Sequence, residues 1–120
     1  MKVIVAILCL AGSSLAVDHR ALLWGGVNLG LASLDYETAL HVQATRPCYE
    51  SDPIWGSTHP SRATFYGRGL PLDIGVEAFG YWLGSKVPHH KKFKWLPFRV
   101  VSGWHAYGTY TNLTCGRSLR

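Results

Sequence analysis

From Ala21 to Arg46 the chain carries no proline and only three charged residues, and this unbroken stretch decides what it can fold into. It opens Ala21-Leu-Leu-Trp-Gly-Gly-Val-Asn-Leu-Gly-Leu-Ala-Ser-Leu34 and continues through Asp35 towards Val42. Arg46-Pro47 closes it, because the residue before a proline is pushed out of the helical region. A helix over about residues 20–45 is the reading, of roughly membrane-spanning length. Ahead of it, Lys2, the apolar run Val3 to Gly12 and Ser14-Leu15-Ala16 have the form of a secretory signal peptide ending at residue 16. An exported chain follows, with 17–120 as one helical domain at or in a membrane.

Punctuation gives two more helices. The segment Cys48 to Pro60 is too rich in turn residues to be regular. A second helix starts near Ser61, is interrupted over Gly67 to Pro71, and runs to Val87, where Pro88 ends it. After the basic connector His89-His-Lys-Lys-Phe-Lys94, a third spans about Trp95 to Leu113, with Pro97 tolerated in its first turn. The fold class is therefore all-α, a small bundle of about three helices, membrane-embedded or membrane-apposed. Nearly half the residues are apolar and only 16% are charged, which suits helices against lipid better than a small soluble enzyme.

Each helix carries one stripe of small and polar residues. Gly25, Asn28, Ala32, Asp35, Ala39 and Val42 recur in steps of three and four, as do Asp73, Glu77, Gly80 and Gly84, and Ser102, His105, Thr109 and Asn112. Buried carboxylates are costly in an apolar setting, so Asp35 is expected in the bundle interior, while Asp73 suits either the interior or the interface. Asp73 and Glu77, four residues apart, share a helical face and could act as paired acids; His105 could join them in acid-base or metal chemistry. No His-x-x-x-His or Glu-x-x-His spacing supports a metal, and no cofactor motif is present. Asn112-Leu-Thr114 is a formal glycosylation acceptor.

Of the three cysteines, Cys9 lies in the leader. Cys48 and Cys115 remain, and in an oxidising compartment they are expected to pair, stapling the loop after the first helix to the end of the third. The net charge of +5 is concentrated in Lys86 to Arg99 and at the C-terminus. An exported chain has little occasion to meet nucleic acid, so lipid head groups are the expected counter-charge. Three full spans would leave the lysine-rich connector outside, against the positive-inside rule, which favours a bundle lying on the periplasmic face of the inner membrane as the alternative to embedding.

The motifs Leu34-Asp35-x-x-Thr38, Glu50-x-Asp52-Pro53, Pro60-Ser-Arg62, His89-His-Lys91 and His105-Ala106 with Asn112 downstream resemble a group of small exported bacterial proteins of unknown function. The resemblance spans the mature chain and implies a helical architecture with Asp35, Thr38, Glu50, His105 and Asn112 as residues of interest; it implies no activity. Together with Asp73 and Glu77 these form one expected polar cluster. Two functions stay open: a membrane protein acting through helix packing, self-association or a partner, and a metal-dependent or acid-base enzyme using Asp35, Asp73, Glu77 and His105. Asp35→Asn separates them if a packing network tolerates the isosteric amide and chemistry does not.

Overall fold

A computed structural model describes residues 18–50 and 53–115, all of whose regular elements are helical. The expected leader and Asp52 lie outside the described residues. Helix α1 (His19–Thr45) begins where Asp18 accepts a hydrogen bond from the Arg20 amide at 2.9 Å, and stops where Arg46 turns extended before Pro47. A turn of 3₁₀ helix (Pro53–Trp55) follows in the loop. Ser61 then caps a short helical turn (Arg62–Thr64) by accepting from the Thr64 amide, a π-helical turn (Phe65–Gly69) continues it, and α2 (Leu70–Ser85) follows without a gap. The interruption expected over Gly67 to Pro71 is thus absent. The π turn changes the bonding register just before Pro71, so the missing proline N–H is accommodated where α2 begins. Part of the basic connector is itself a 3₁₀ turn (Lys91–Trp95), leading into α3 (Leu96–Thr114) with Pro97 in its first turn.

Cross-links along the helices fix their directions. Residues 28, 35 and 46 of the first segment meet residues 98, 105 and 115 of the third in the same order, so α1 and α3 run parallel. Helix α2 is antiparallel to both, since Asp18, Asn28 and Tyr36 meet Tyr81, Glu77 and Asp73 in reverse. Small residues permit this closeness. A Cβ on Gly108 would lie 2.5 Å from the Asp35 carboxylate, and one on Gly84 would lie 2.5 Å from the Lys94 backbone nitrogen. The Gly80 and Gly84 stripe therefore does receive a neighbour, which is Pro97 and the 3₁₀ turn before α3.

The main apolar core is Ala32, Tyr36, Ala39, Trp55 and Phe65, centred on the fully buried Tyr36 ring, which stacks on Phe65 at 5.3 Å and meets Trp55 edge-on at 5.8 Å. A second aromatic group, Tyr81, Trp95 and Phe98, joins the far end of α2 to the start of α3.

Membrane embedding is not supported. Among the described residues no helix is long and apolar enough to cross a bilayer. The reason lies in the helices themselves: Asp35 and Glu37 interrupt α1, α2 has 16 residues including Asp73 and Glu77, and α3 carries Arg99 and a run of hydroxyls.

Cys48 and Cys115 form a disulfide with Cα atoms 6.3 Å apart, closing a separation of 67 residues. Arg46 reinforces the junction by donating to the carbonyls of Cys115 (2.9 Å) and Leu113 (3.3 Å), the free ends of α3. Because a bond across so long a loop restricts the unfolded chain strongly, reducing it is expected to lower stability by about 4 kcal/mol in the chain-entropy model. Non-reducing electrophoresis should show a compact monomer band that reductant abolishes, with a parallel fall in thermal midpoint; free thiols at both positions in unreduced protein would contradict this.

Candidate functional site

Three helices each deliver one ionisable group to a single point. His105, 1% exposed on α3, hydrogen-bonds through Nδ1 to Asp35 Oδ2 of α1 at 2.8 Å and through Nε2 to Asp73 Oδ2 of α2 at 2.7 Å. The spacing that put Asp35, Asp73 and His105 on inward stripes is what aligns them. Asn112, two turns further along α3, donates to Asp35 Oδ1 and the Asp35 carbonyl, both at 3.0 Å, and to Thr38 Oγ1 at 3.1 Å. Thr38 uses its own proton on α1 carbonyls and so can accept. Tyr36 lies edge-on to the imidazole at 5.4 Å and points its hydroxyl towards Asp73.

Two helical turns before Asp35 a second polar layer crosses the bundle. Asn28, 2% exposed, donates to Glu77 Oε1 and to the Phe98 carbonyl at 3.0 Å, while its own oxygen accepts from Ser102. Asp73 and Glu77 share a face as expected, and they serve different layers, Asp73 bonding His105 and Glu77 bonding Asn28. Glu50 lies in the loop: its amide donates to the Thr58 carbonyl at 2.7 Å, and the residue lines a cavity that Asp35 and Asn112 also line. On the third stripe, the Thr109 hydroxyl is buried without a hydrogen bond among the described residues.

Burial works against charge on His105, but its hydrogen bonds to Asp35 and Asp73 and their negative charges outweigh it, raising the pKa from 6.5 to about 9. At neutral pH the imidazole is a cation between two carboxylates. Burial pushes Glu77 from 4.5 up to about 7, with the Asn28 hydrogen bond opposing and the charge of Asp73 adding to the rise. Burial likewise raises Tyr36, helped by the charges of Asp73 and Asp35, so its hydroxyl keeps its proton.

This geometry limits the chemistry. Both nitrogens of His105 are occupied, so neither offers a lone pair to a metal or a substrate. Among the described residues no three of His, Cys, Asp and Glu are placed to hold a metal ion. The Asn112 amide nitrogen is spent on three internal hydrogen bonds, so the glycosylation motif is consumed by packing. Sequence reasoning placed Asn28 and Ser102 on the inward stripes without giving them a role. It missed Tyr36, although Ala32, Tyr36 and Ala39 are spaced four and three apart, the signal that would have found it. Comparison of the chain with protein-family models, curated proteins and solved structures finds no match.

Two measurements test the network. Since the folded pKa of His105 lies above its unfolded value of 6.5, its contribution is complete below 6.5 and lost as pH rises through about 9. Glu77, also raised, adds a decline between 4.5 and about 7. Calorimetry should therefore record stability falling by about 3 kcal/mol between pH 6.5 and 9, a slope that His105→Gln removes. Asp35→Asn should cost about 1–3 kcal/mol, because both carboxylate oxygens accept hydrogen bonds and an amide turns a donor towards one of them. The amide is thus no neutral probe of packing, contrary to the sequence-based expectation, and an unchanged melting temperature for this variant would refute the assigned network.

Proposed function

We propose that this chain is an exported, membrane-apposed binding protein, in which the polar clusters hold three helices in register and one end of the bundle seats on an anionic lipid surface. The carrying observation is the composition of that end. The start of α1, the end of α2 and the start of α3 meet there, joined by Tyr81 donating to Asp18 and by Lys94 4.0 Å from the same carboxylate. Among the described residues, six cations gather there, Arg20, Lys86, Lys91, Lys92, Lys94 and Arg99, against the single acid Asp18.

Exposed apolar side chains lie among these charges. Leu22, Leu23 and Trp24 project from α1, Phe79, Trp82 and Leu83 from α2, and Phe93, Leu96 and Val100 from the turn and α3. On α2, Leu72, Val76, Phe79 and Leu83 follow steps of four, three and four, a continuous exposed stripe turned about 100° from the one that carries Asp73 and Glu77. Lys86 lies over the Trp82 ring at 5.9 Å, which sets cation and aromatic side by side as at a membrane interface. Apolar side chains that enter the head-group region and lysines that face its anionic charge act together there.

The buried His105 supports binding over catalysis, because both its ring nitrogens are already hydrogen-bonded. Vesicle flotation tests the reading. The protein is expected to float with vesicles containing phosphatidylglycerol and to remain below with pure phosphatidylcholine, and added salt should release it. With each basic residue near the surface worth about 1 kcal/mol, reversing Lys91 and Lys92 to Glu should weaken partitioning by at least about tenfold. No flotation with either lipid would overturn the proposal.

A further inference from the structure

At the opposite end of the bundle, a cavity of about 460 Å³ opens between the second half of α1, the end of α3 and the loop that follows Cys48. Its size suits a small organic ligand. Its walls are aromatic, with Trp55 and Phe65 buried at the back and Trp104 and Tyr107, 57% and 68% exposed, standing at the rim. Among the described residues, the charged side chains that line it are Asp35 and Glu50, with no lysine, arginine or histidine, in a chain whose net charge is +5.

Beside Asp35 the inner wall offers oxygen lone pairs that can accept hydrogen bonds. Asp35 takes one hydrogen bond on each carboxylate oxygen, from Asn112 and His105, and an ionised carboxylate has room for about four. Asn112 turns its amide nitrogen wholly towards α1, so its oxygen makes none of those bonds. Thr111 gives its proton to the Gly108 carbonyl at 2.8 Å and retains lone pairs. A cation that donates hydrogen bonds or lies against aromatic faces meets both features at once.

We infer that this cavity is a binding site for a small organic cation, an amine or quaternary ammonium compound, held between the Asp35 carboxylate and the Trp104 and Tyr107 rings. The inference is independent of lipid binding, which uses the other end of the molecule.

Choline is a suitable probe, compared by calorimetry and tryptophan fluorescence with dimethylbutanol, its uncharged carbon isostere, and with methyl glucoside. Saturable binding of choline to the disulfide-bonded protein is expected, with the isostere at least about tenfold weaker. Trp104→Ala and Tyr107→Ala remove exposed rings, so each should weaken choline binding about tenfold while helicity is kept. Equal affinity for choline and its isostere would make this a merely apolar hollow and overturn the inference. So would binding of the glucoside without choline, absence of any saturable response, or choline affinity untouched in both variants.

Discussion

A cationic imidazole clamped between two carboxylates is the interaction on which the bundle depends. Asp35, Asp73 and His105 come from three different helices, so each bond is a tertiary contact that fixes rotation and register as well as distance. Removing the cation would leave two carboxylates facing a vacated position in the interior, and leaving buried charge unpaired in this way typically costs about 3–5 kcal/mol. Neighbouring features accommodate the clamp. Gly108 lets the α3 backbone approach Asp35, Gly69 gives room to Tyr36, and Tyr36 lays its ring edge against the imidazole.

Around this centre the usual distribution of polarity is partly reversed. The contacts between helices include Asn28, Glu77 and His105, all buried, while leucines and tryptophans lie outside on every long helix. Three helices with glycine and alanine on their facing stripes enclose too little volume for a large dry core, and the main apolar cluster accordingly holds five residues, two of them supplied by the loop and turn between α1 and α2. Fully bonded polar layers then define the packing that a small core alone leaves loosely specified. The exposed apolar stripes have no counterpart in that internal logic, and for this reason they carry the functional argument.

Much of this was legible because helical periodicity is a local property. The inward stripes of α1, α2 and α3 emerged from spacing alone, and with them Asp35, Asp73, Glu77, His105 and Asn112; the Cys48 and Cys115 pair followed from redox context and helix order. The length and apolar content of the first stretch suggest a membrane span, yet no described helix is long and apolar enough for one, because Asp35 and Glu37 fall inside the window a span would need. The division into two layers was not legible, since which acid meets His105 and which meets Asn28 depends on the antiparallel placement of α2. Nor was the cavity, whose lining joins the Asp35 face of α1 to Trp55 of the loop and Trp104 of α3, residues brought together only by tertiary structure.

The two proposed surfaces bear on each other through the axis of α1. From Arg20 to Val42 that helix rises roughly 33 Å at 1.5 Å per residue, which sets the cavity well away from the basic end. Seated on lipid by Arg20 and the Lys91–Lys94 segment, the bundle would hold its cavity out into the aqueous compartment, where a soluble cation is met. The charge arrangement favours the same division: an end rich in lysine faces anionic head groups, while the pocket lined by Asp35 and Glu50 is removed from them by several Debye lengths at physiological ionic strength. Anionic lipid would then enrich cations close to its surface without masking the acidic pocket, and the Cys48–Cys115 bond would keep the cavity walls together at the end of the bundle farthest from its support.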